Sequence, residues 1–226
     1  MAHMKFFLRT CSRSLRRLWL ALLVIFSGLP PGIVHAEDTL EAVMARMKPQ
    51  TAVRISYRET RYLDLLNNPW HGSGYLYALP PDLMIKEQLQ PQREVMAAGS
   101  TDLYYYDPVN DVRHHKAVDP DDALSLHVNA FQALINGNTS LLGDLYRLRF
   151  TAAARQWQVT LDSLSEEGDV PLTTILMSGK AAAPADRIDV FLADGDHSEY
   201  RLRRDAEGEQ VKQHILQLYA EVKGHE

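Results

Sequence analysis

Cysteine is almost absent from this sequence of 226 residues, since the only one is Cys11, in a basic stretch near the start. A single cysteine forms no intramolecular disulfide. If the basic stretch is removed from the mature protein, Cys11 also supplies no thiol nucleophile to the folded protein. A lipoprotein signal would place its cysteine just after an apolar run, whereas Cys11 precedes one. We therefore expect a folded domain without disulfides and without a lipid anchor.

Residue patterns typical of catalysis, metal binding or phosphate binding are also lacking. There is no glycine-rich phosphate loop, and HGSG at residues 71–74 does not fit the G-x-S-x-G pattern of serine hydrolases. The adjacent His114 and His115 would point to opposite faces of a strand, so they cannot bind one metal ion together. We predict that the protein is not an enzyme and that it uses no cofactor and no metal.

An excess of positive charge is lacking as well, because 24 Lys and Arg residues stand against 29 Asp and Glu residues. The formal net charge is −5 at pH 7. An acidic chain without a basic stripe is a poor candidate for binding nucleic acid. We therefore predict no nucleic-acid partner.

Residues 1–36 have the pattern of a secretory signal peptide. All charged residues there are basic, an apolar run follows at residues 18–29, and the small residues Val34 and Ala36 precede Glu37. The apolar run is shorter than the ~20 residues that a membrane-spanning helix requires, so a retained anchor is the weaker alternative. We predict cleavage after residue 36, and a soluble periplasmic domain over residues 37–226. The pair Arg16 and Arg17 leaves Sec and twin-arginine export both open.

Helical spacing of apolar residues predicts four helices. The first covers residues 38–48, with Asp38 or Thr39 as its cap. Asp-Pro-Asp-Asp at residues 119–122 is typical of a helix start, and Gly137 suits the end of that second helix. A short third helix follows over residues 139–145. The tail, about residues 207–226, is expected to form the fourth.

Short strand-like runs fill most of the remaining sequence. Alternation begins at Val53, Ile55 and Tyr57, and residues 61–74 read as a loop or a bent extension of that strand. Further runs cover residues 74–79, 83–90, 93–98, 103–107, 112–118, 146–154, 157–164, 172–181, 187–193 and 197–203. Short runs with short turns indicate an antiparallel meander. Because two helices interrupt it, we predict an α+β fold in which helices cover the concave side of a curved sheet. Such a space could hold a lipid chain.

The segment YALPPDLMIKEQLQP, followed by GSTDLYYYDP, resembles part of the LolA-like lipoprotein carriers of the bacterial periplasm. Pro81 and Pro91 match two prolines that frame a strand in that family, and residues 103–106 match its apolar-aromatic run. The resemblance covers most of residues 37–205 and is closer to a divergent branch associated with lipid or aryl polyene-type export. It implies an incomplete, half-open antiparallel β-barrel covered by lid helices, with an apolar cavity.

Two departures from the family concern the lid and one strand. Pro80 stands where the family has a basic residue that helps latch the lid, so the latch is absent or differently built. Alternation puts Ile85 on the cavity face, together with Leu83 and Leu89, whereas the family match puts Met84 and Lys86 there. We expect the first arrangement, because burying Lys86 without a partner is costly. A β-bulge would allow the second.

The resemblance and the alternation together give a candidate site. We expect the lipid-binding cavity to be lined by Val53, Ile55, Tyr57, Leu76, Leu83, Met84, Ile85, Leu89, Tyr104 and Tyr106. We expect the lid to contribute Leu124, Val128, Phe131, Leu134, Leu141 and Leu142.

The function implied by the resemblance is that of a monomeric carrier without enzymatic activity. It would bind acyl chains of a lipoprotein or other lipid, receive them from an inner-membrane donor and pass them to an outer-membrane acceptor. The alternative is a periplasmic lipid- or lipoprotein-sensing or adaptor module of the envelope-stress regulator type. The sequence does not identify the cargo, the donor or the acceptor.

Overall fold

Eleven antiparallel strands form one sheet, and four helices accompany it in the part of the chain that the computed structural model describes. The described residues are 38–119, 123–153, 155–164 and 172–224, with residues 123–127 and 172–173 described by their backbone alone. The predicted signal peptide and the helix start at residues 120–122 lie outside them. None of the described helices is long and apolar enough to cross a membrane.

The elements follow the predicted order. The helices are α1 (Leu40–Met47), α2 (Ala123–Ile135), α3 (Thr139–Leu145) and α4 (Glu209–Lys223). The strands are β1 (Val53–Tyr62), β2 (Trp70–Leu79), β3 (Leu83–Gln90), β4 (Glu94–Ala98), β5 (Asp102–Asp107), β6 (Val112–Ala117), β7 (Tyr146–Ala153), β8 (Gln156–Ser163), β9 (Leu172–Lys180), β10 (Ala185–Leu192) and β11 (His197–Glu207). The predicted α+β fold class, an open antiparallel barrel with helices, is confirmed.

Local sequence signals explain where the helices begin and end. The Thr39 hydroxyl accepts a hydrogen bond from the Ala42 amide, 3.2 Å away, and so caps α1. Gly137, just beyond α2, has a φ of +63°, and a Cβ there would lie 2.2 Å from the Met44 carbonyl oxygen. Glycine is therefore required at this position both by the backbone conformation and by the close approach of α1.

Strand β2 begins at Trp70 rather than at residue 74, so only residues 63–69 of the ambiguous segment form a loop. A Cβ at Gly74 would lie 2.0 Å from the Glu87 carbonyl oxygen of β3. The β2–β3 register also shifts between Ser73 and Gly74. Glycine at this point allows β2 to continue past the register shift in close contact with β3. The segment is thus a loop followed by the first part of β2.

The sheet is open and strongly curled. Its strand order is β6-β5-β4-β3-β2-β1-β11-β10-β9-β8-β7, with β6 and β7 at the two edges. Residues of β6 and of β9 nevertheless line the same pocket. In a flat sheet with strands ~4.8 Å apart those two strands would lie roughly 38 Å from each other. The sheet must therefore curve around a common interior, as a half-open barrel does.

The two faces of the sheet carry separate cores. On the inner face, α1, α2 and α3 pack on residues such as Ile55, Leu76 and Val159. On the outer face, α4 packs on Tyr77, Ile85 and other residues of β2–β5. The sequence predicted the inner helices over the concave side but gave no position for α4. Strands β2–β5 are consequently buried on both faces.

Candidate functional site

A pocket of about 580 Å³ lies between helix α2 and the inner face of the sheet. Strands β3–β6 form one wall and strands β9–β11 form the other. The lining residues are Met84, Lys86, Met96, Ala97, Ala98, Leu103, Tyr104, Tyr105, His114, Lys116, Val128, Phe131, Ile175, Val190 and Tyr200. The volume falls in the range of ~300–1,000 Å³ that is typical of small-ligand sites.

The lining is largely apolar, and its charged side chains are all basic. Met84, Leu103 and Ile175 represent the aliphatic walls, while Lys86 and Lys116 are the lysines that reach the space. Lys116 lies on the exposed edge strand β6 and therefore at the rim. The Lys86 side chain is only 19% exposed and belongs to the floor. Among the described lining residues there is no Asp or Glu.

The floor of the pocket rests on a buried polar cluster around Glu59 of β1. The Glu59 carboxylate accepts hydrogen bonds from Lys86 Nζ at 2.9 Å and from the Tyr200 hydroxyl at 2.7 Å. Arg61 donates to it as well and lies over the Trp70 ring, 4.5 Å from its centre. The Lys86 ammonium is 5.1 Å from the centre of the Tyr57 ring. Lys86, for which no partner was evident from the sequence, is therefore paired with Glu59.

The protonation states follow from burial and from these contacts. Burial alone would raise the pKa of the Glu59 carboxyl, but Lys86, Arg61 and the Tyr200 hydroxyl outweigh it, so the pKa lies below its usual value. Burial lowers the pKa of the Lys86 ammonium, and the nearby Glu59 charge offsets only part of this effect. Burial and the same carboxylate raise the pKa of the Tyr200 hydroxyl well above its ordinary value. Glu59 is therefore the anion of the cluster and Tyr200 a neutral donor.

Helix α2 is held across the pocket by Gln132. Its side-chain amide donates one hydrogen bond to the Asp82 carbonyl at 3.1 Å and another to the Ala98 carbonyl at 3.0 Å. Phe131, the preceding residue, points into the pocket, with its ring 6.1 Å from that of Tyr200. Asp82 directly follows Pro80-Pro81, the place where a family-like latch was missing from the sequence. The turn and the helix are thus connected by a side chain of the helix, Gln132, rather than by a basic residue of the turn.

The structure brings part of the predicted site together at the pocket. Met84, Val128 and Phe131 are among its lining residues. Tyr104 also touches the pocket, but its ring lies on the outer face of the sheet, against α4. Val53 lies on the same inner face, packed with Met84 and with the end of α2. The other inner-face residues belong to the main core under the helices rather than to the lining: Ile55, Tyr57, Leu76, Leu134 and Leu142. Leu141 is 36% exposed, and the side chain of Leu124 lies outside the described residues.

The expected face of strand β3 was wrong. Ile85 is fully buried under α4, on the outer face, and Leu83 packs against the same cluster. Leu89 is 38% exposed and lines a shallow outer groove. Met84 and Lys86 face the pocket instead, as the family match indicated. The physical reason is that Glu59 compensates the buried Lys86, while α4 provides the cover for Ile85.

Strand β5 shows the same reversal. Tyr106 packs on the α4 side, with the Arg113 guanidinium 3.7 Å from its ring centre. The Tyr104 ring meets the Tyr219 ring of α4 edge-on. Tyr105 was not among the predicted cavity residues. By alternation along β5 its side chain faces inward, and it pairs with Met96 of β4 and lines the pocket.

Residues from the far half of the sheet were missed altogether. Ile175, Val190 and Tyr200 line the wall opposite β3–β6. Alternation within β9–β11 marks them as inward residues, but only the curl of the sheet brings them opposite Met84. The apolar stripe of α4 was the one available signal that strands β2–β5 have two buried faces.

Comparisons with known proteins give structural likenesses only. No protein-family model matches the chain, and no curated protein sequence matches it. A solved LolA superfamily protein from Nitrosomonas europaea is 10% identical, with 73% of this chain and 89% of that chain covered and a TM-score of 0.42.

Two further solved structures have comparable values. A DUF1329 family protein from Desulfovibrio piger is 8% identical, with 74% of this chain and 91% of that chain covered and a TM-score of 0.41. A domain from Vibrio parahaemolyticus, described as an outer membrane lipoprotein-sorting protein domain, is 10% identical. It covers 78% of this chain and 97% of its own, with a TM-score of 0.41.

Proposed function

We propose that this protein is a carrier that holds an acyl chain of a lipid or lipoprotein in the pocket under α2. The observation that supports this function is the pocket itself: about 580 Å³ of space with aliphatic walls from both halves of the sheet. Apolar space of this size is costly to leave open to water and is suited to an apolar ligand.

In the proposed mechanism, contacts between helix α2 and the sheet are exchanged for contacts between the cargo and the sheet. Without cargo, Phe131 of α2 points into the pocket beside Tyr200. An entering acyl chain displaces such contacts, and each methylene that it buries contributes up to ~0.8 kcal/mol. Part of this gain is offset by the lost packing of the helix. The resulting modest affinity is what a carrier requires in order to release its cargo.

The same proposal places the protein in the bacterial periplasm, after removal of residues 1–36. There it would accept cargo from an inner-membrane donor and pass it to an outer-membrane acceptor, as a monomer and without catalysis. The basic and apolar order of the first residues supports this location.

The test is titration of the purified protein with a neutral single-chain probe, such as the fatty alcohol dodecanol, followed by calorimetry. We expect saturable binding by the parent. Ala98→Phe should abolish it, because Ala98 lines the pocket on the inner face and the added ring would occupy the space that the probe needs. The matched control is Ala117→Phe, the same change at an exposed position on the edge strand β6. It should bind like the parent.

Failure of the folded parent to bind any acyl probe would contradict the carrier function, and the sensing or adaptor module would then become the better hypothesis. A carrier should also be captured together with membrane donor and acceptor proteins, whereas a sensor should be captured with a signalling protein. Mass spectrometry of lipid bound to protein from its own host identifies the cargo.

A further inference from the structure

The floor of the pocket carries a charge that the apolar walls do not explain. Lys86 reaches the space, and the hydrogen bond to Glu59 is the only one that its ammonium makes with the described residues. An ammonium has three N–H donors. The remaining donors have no oxygen or nitrogen acceptor on the described part of the chain, and the ammonium faces the rings of Tyr57 and Tyr200 instead.

The cluster beneath the floor has one cation more than it has anions. Lys86 and Arg61 share the single carboxylate of Glu59. Arg61 is 39% exposed, so water screens much of its charge, whereas Lys86 is mostly buried. Glu94 favours the charged form of Lys86 from a distance but accepts no hydrogen bond from it. A buried ammonium in this position is stabilised by a further anion.

A second polar group, in the core beside Lys86 rather than in the lining of the pocket, also lacks a partner. The Tyr57 hydroxyl is buried and has no hydrogen-bond partner among the described residues. Its ring is 6.1 Å from the Tyr200 ring and 5.1 Å from the Lys86 ammonium. Unsatisfied buried hydroxyls are rare in proteins, and a ligand or water commonly supplies the missing partner.

The size of the pocket limits what this ligand can be. Its volume of about 580 Å³ is that of a site for one small molecule. The walls above Lys86 are aliphatic, and no described lining residue is acidic. A ligand that satisfies both parts has one apolar chain for the walls and one anionic group for the floor.

We propose that the cargo is a single-chain amphiphile with an anionic head, a carboxylate or a phosphate, and that the head accepts a hydrogen bond from Lys86 at the floor. This rests on the proposed carrier function and narrows its cargo. The chain then runs along the aliphatic walls towards the edge strand β6. Lys116 and His114 at the rim would meet the far end of the chain rather than the head.

The experiment compares ligands of equal chain length and different heads, namely laurate, dodecyl phosphate and dodecanol. Calorimetry below their aggregation limits gives the affinities. We expect the parent to bind one of the two anions at least about tenfold more tightly than dodecanol, because a charge-assisted hydrogen bond is formed. The tighter anion identifies the head. Lys86→Met should lose this preference while its affinity for dodecanol is kept, and Lys86→Arg should restore it.

Lys116→Met makes the same change at the rim of the same pocket. If the head lies at the floor, this variant keeps the preference for the anion over dodecanol, whatever it does to the affinity for the chain itself. Loss of the preference in Lys116→Met but not in Lys86→Met would overturn the assignment of the head to the floor. Equal binding of the anions and of dodecanol by the parent would refute the anionic cargo and leave the carrier function intact. No binding of any of the three would refute both.

A second measurement does not depend on the folding of Lys86→Met. Laurate labelled with carbon-13 at the carboxyl reports its own titration by NMR when bound to the parent. A head paired with Lys86 should titrate at a lower pH than a head exposed at the rim, because a neighbouring cation stabilises the carboxylate. Titration of bound laurate at or above its pH in water would show that Lys86 does not stabilise the carboxylate, and this would contradict the proposal.

Discussion

At the scale of single residues, Glu59 determines how the interior can hold a lysine. Its side chain is fully buried, and it receives hydrogen bonds from residues of β1, β3 and β11. The sequence led us to expect Lys86 on the face away from the cavity, because no partner for a buried lysine was evident. The partner lies 27 residues earlier in the chain, which alternation within one strand cannot reveal. Polar pairs of this kind depend on strand order rather than on local pattern.

Glu59→Gln should therefore destabilise the protein by about 3 kcal/mol at neutral pH, because it leaves Lys86 buried without an anion. The pKa of Glu59 is lowered in the folded state from its usual value of 4.5, so its contribution is present above that pH. The contribution is lost as the pH falls through the lower folded value. Urea unfolding of both proteins between neutral pH and pH ~3 should show the difference shrinking below pH ~4.5. A constant difference over this range would argue against an ionised Glu59.

Ile85 gives a second prediction at this scale, opposite in pattern to the change at Ala98. Since Ile85 is fully buried under α4, Ile85→Ala should lower the free energy of unfolding by about 2–5 kcal/mol. It should leave the affinity for an acyl probe unchanged, because the residue faces away from the pocket. Unfolding curves and probe titrations on the same preparation test both parts. Weaker probe binding by a variant that remains folded would indicate that Ile85 faces the cavity after all.

At the scale of elements, helices were easier to predict than the faces of strands. Stripes of apolar residues three or four apart place the ends of α1 to within two residues and those of α4 to within about three, and Thr39 caps α1. Strand existence was also predictable from short runs and turns. Which face of β3 points inward was not predictable. Because α4 covers its outer face, apolar residues are favoured on both faces of this strand. Helix α4 is itself tied to the sheet through Arg93, which donates to Glu221 at 2.6 and 2.9 Å.

The attachment of α2 leads to a prediction about the lid. Gln132→Ala removes two hydrogen bonds that connect the helix with the turn at Asp82 and with Ala98. The amides of α2 should then exchange with solvent about thirtyfold faster, because each of the two bonds contributes ~1 kcal/mol. Hydrogen exchange of the empty protein measures the effect. The control is Gln213→Ala in α4, where the glutamine bonds only to Glu209 of its own helix.

Cargo should act on the same helices. If an acyl chain displaces Phe131 from the pocket, the amides of α2 and α3 should exchange faster in the complex than in the empty protein. Exchange measured with and without laurate, at concentrations that saturate the site, shows the change. Unchanged protection of both helices in a demonstrably bound complex would mean that they do not act as a lid.

At the scale of the whole molecule, the predicted export of the protein is open to a direct test. The order of basic, apolar and small residues up to Ala36 predicts a mature chain that begins at or near Glu37. Expression in a bacterial host, separation of periplasm from membranes and N-terminal sequencing decide the matter. A full-length chain in the membrane fraction would contradict both cleavage and a soluble periplasmic carrier.

The position of α4 makes the two walls of the pocket unequal. It packs on β1–β6 and β11, so the wall that carries Met84 and Lys86 is covered from behind. Every second residue of the far edge strand β7 is exposed, from Arg147 to Ala153. Elements with one covered face open at lower free energy than elements with two. The pocket thus has one wall that is covered from behind and one that is not. If the protein carries cargo as proposed, we expect the β7–β9 side to move outward for a wider ligand while the Lys86 side keeps its shape.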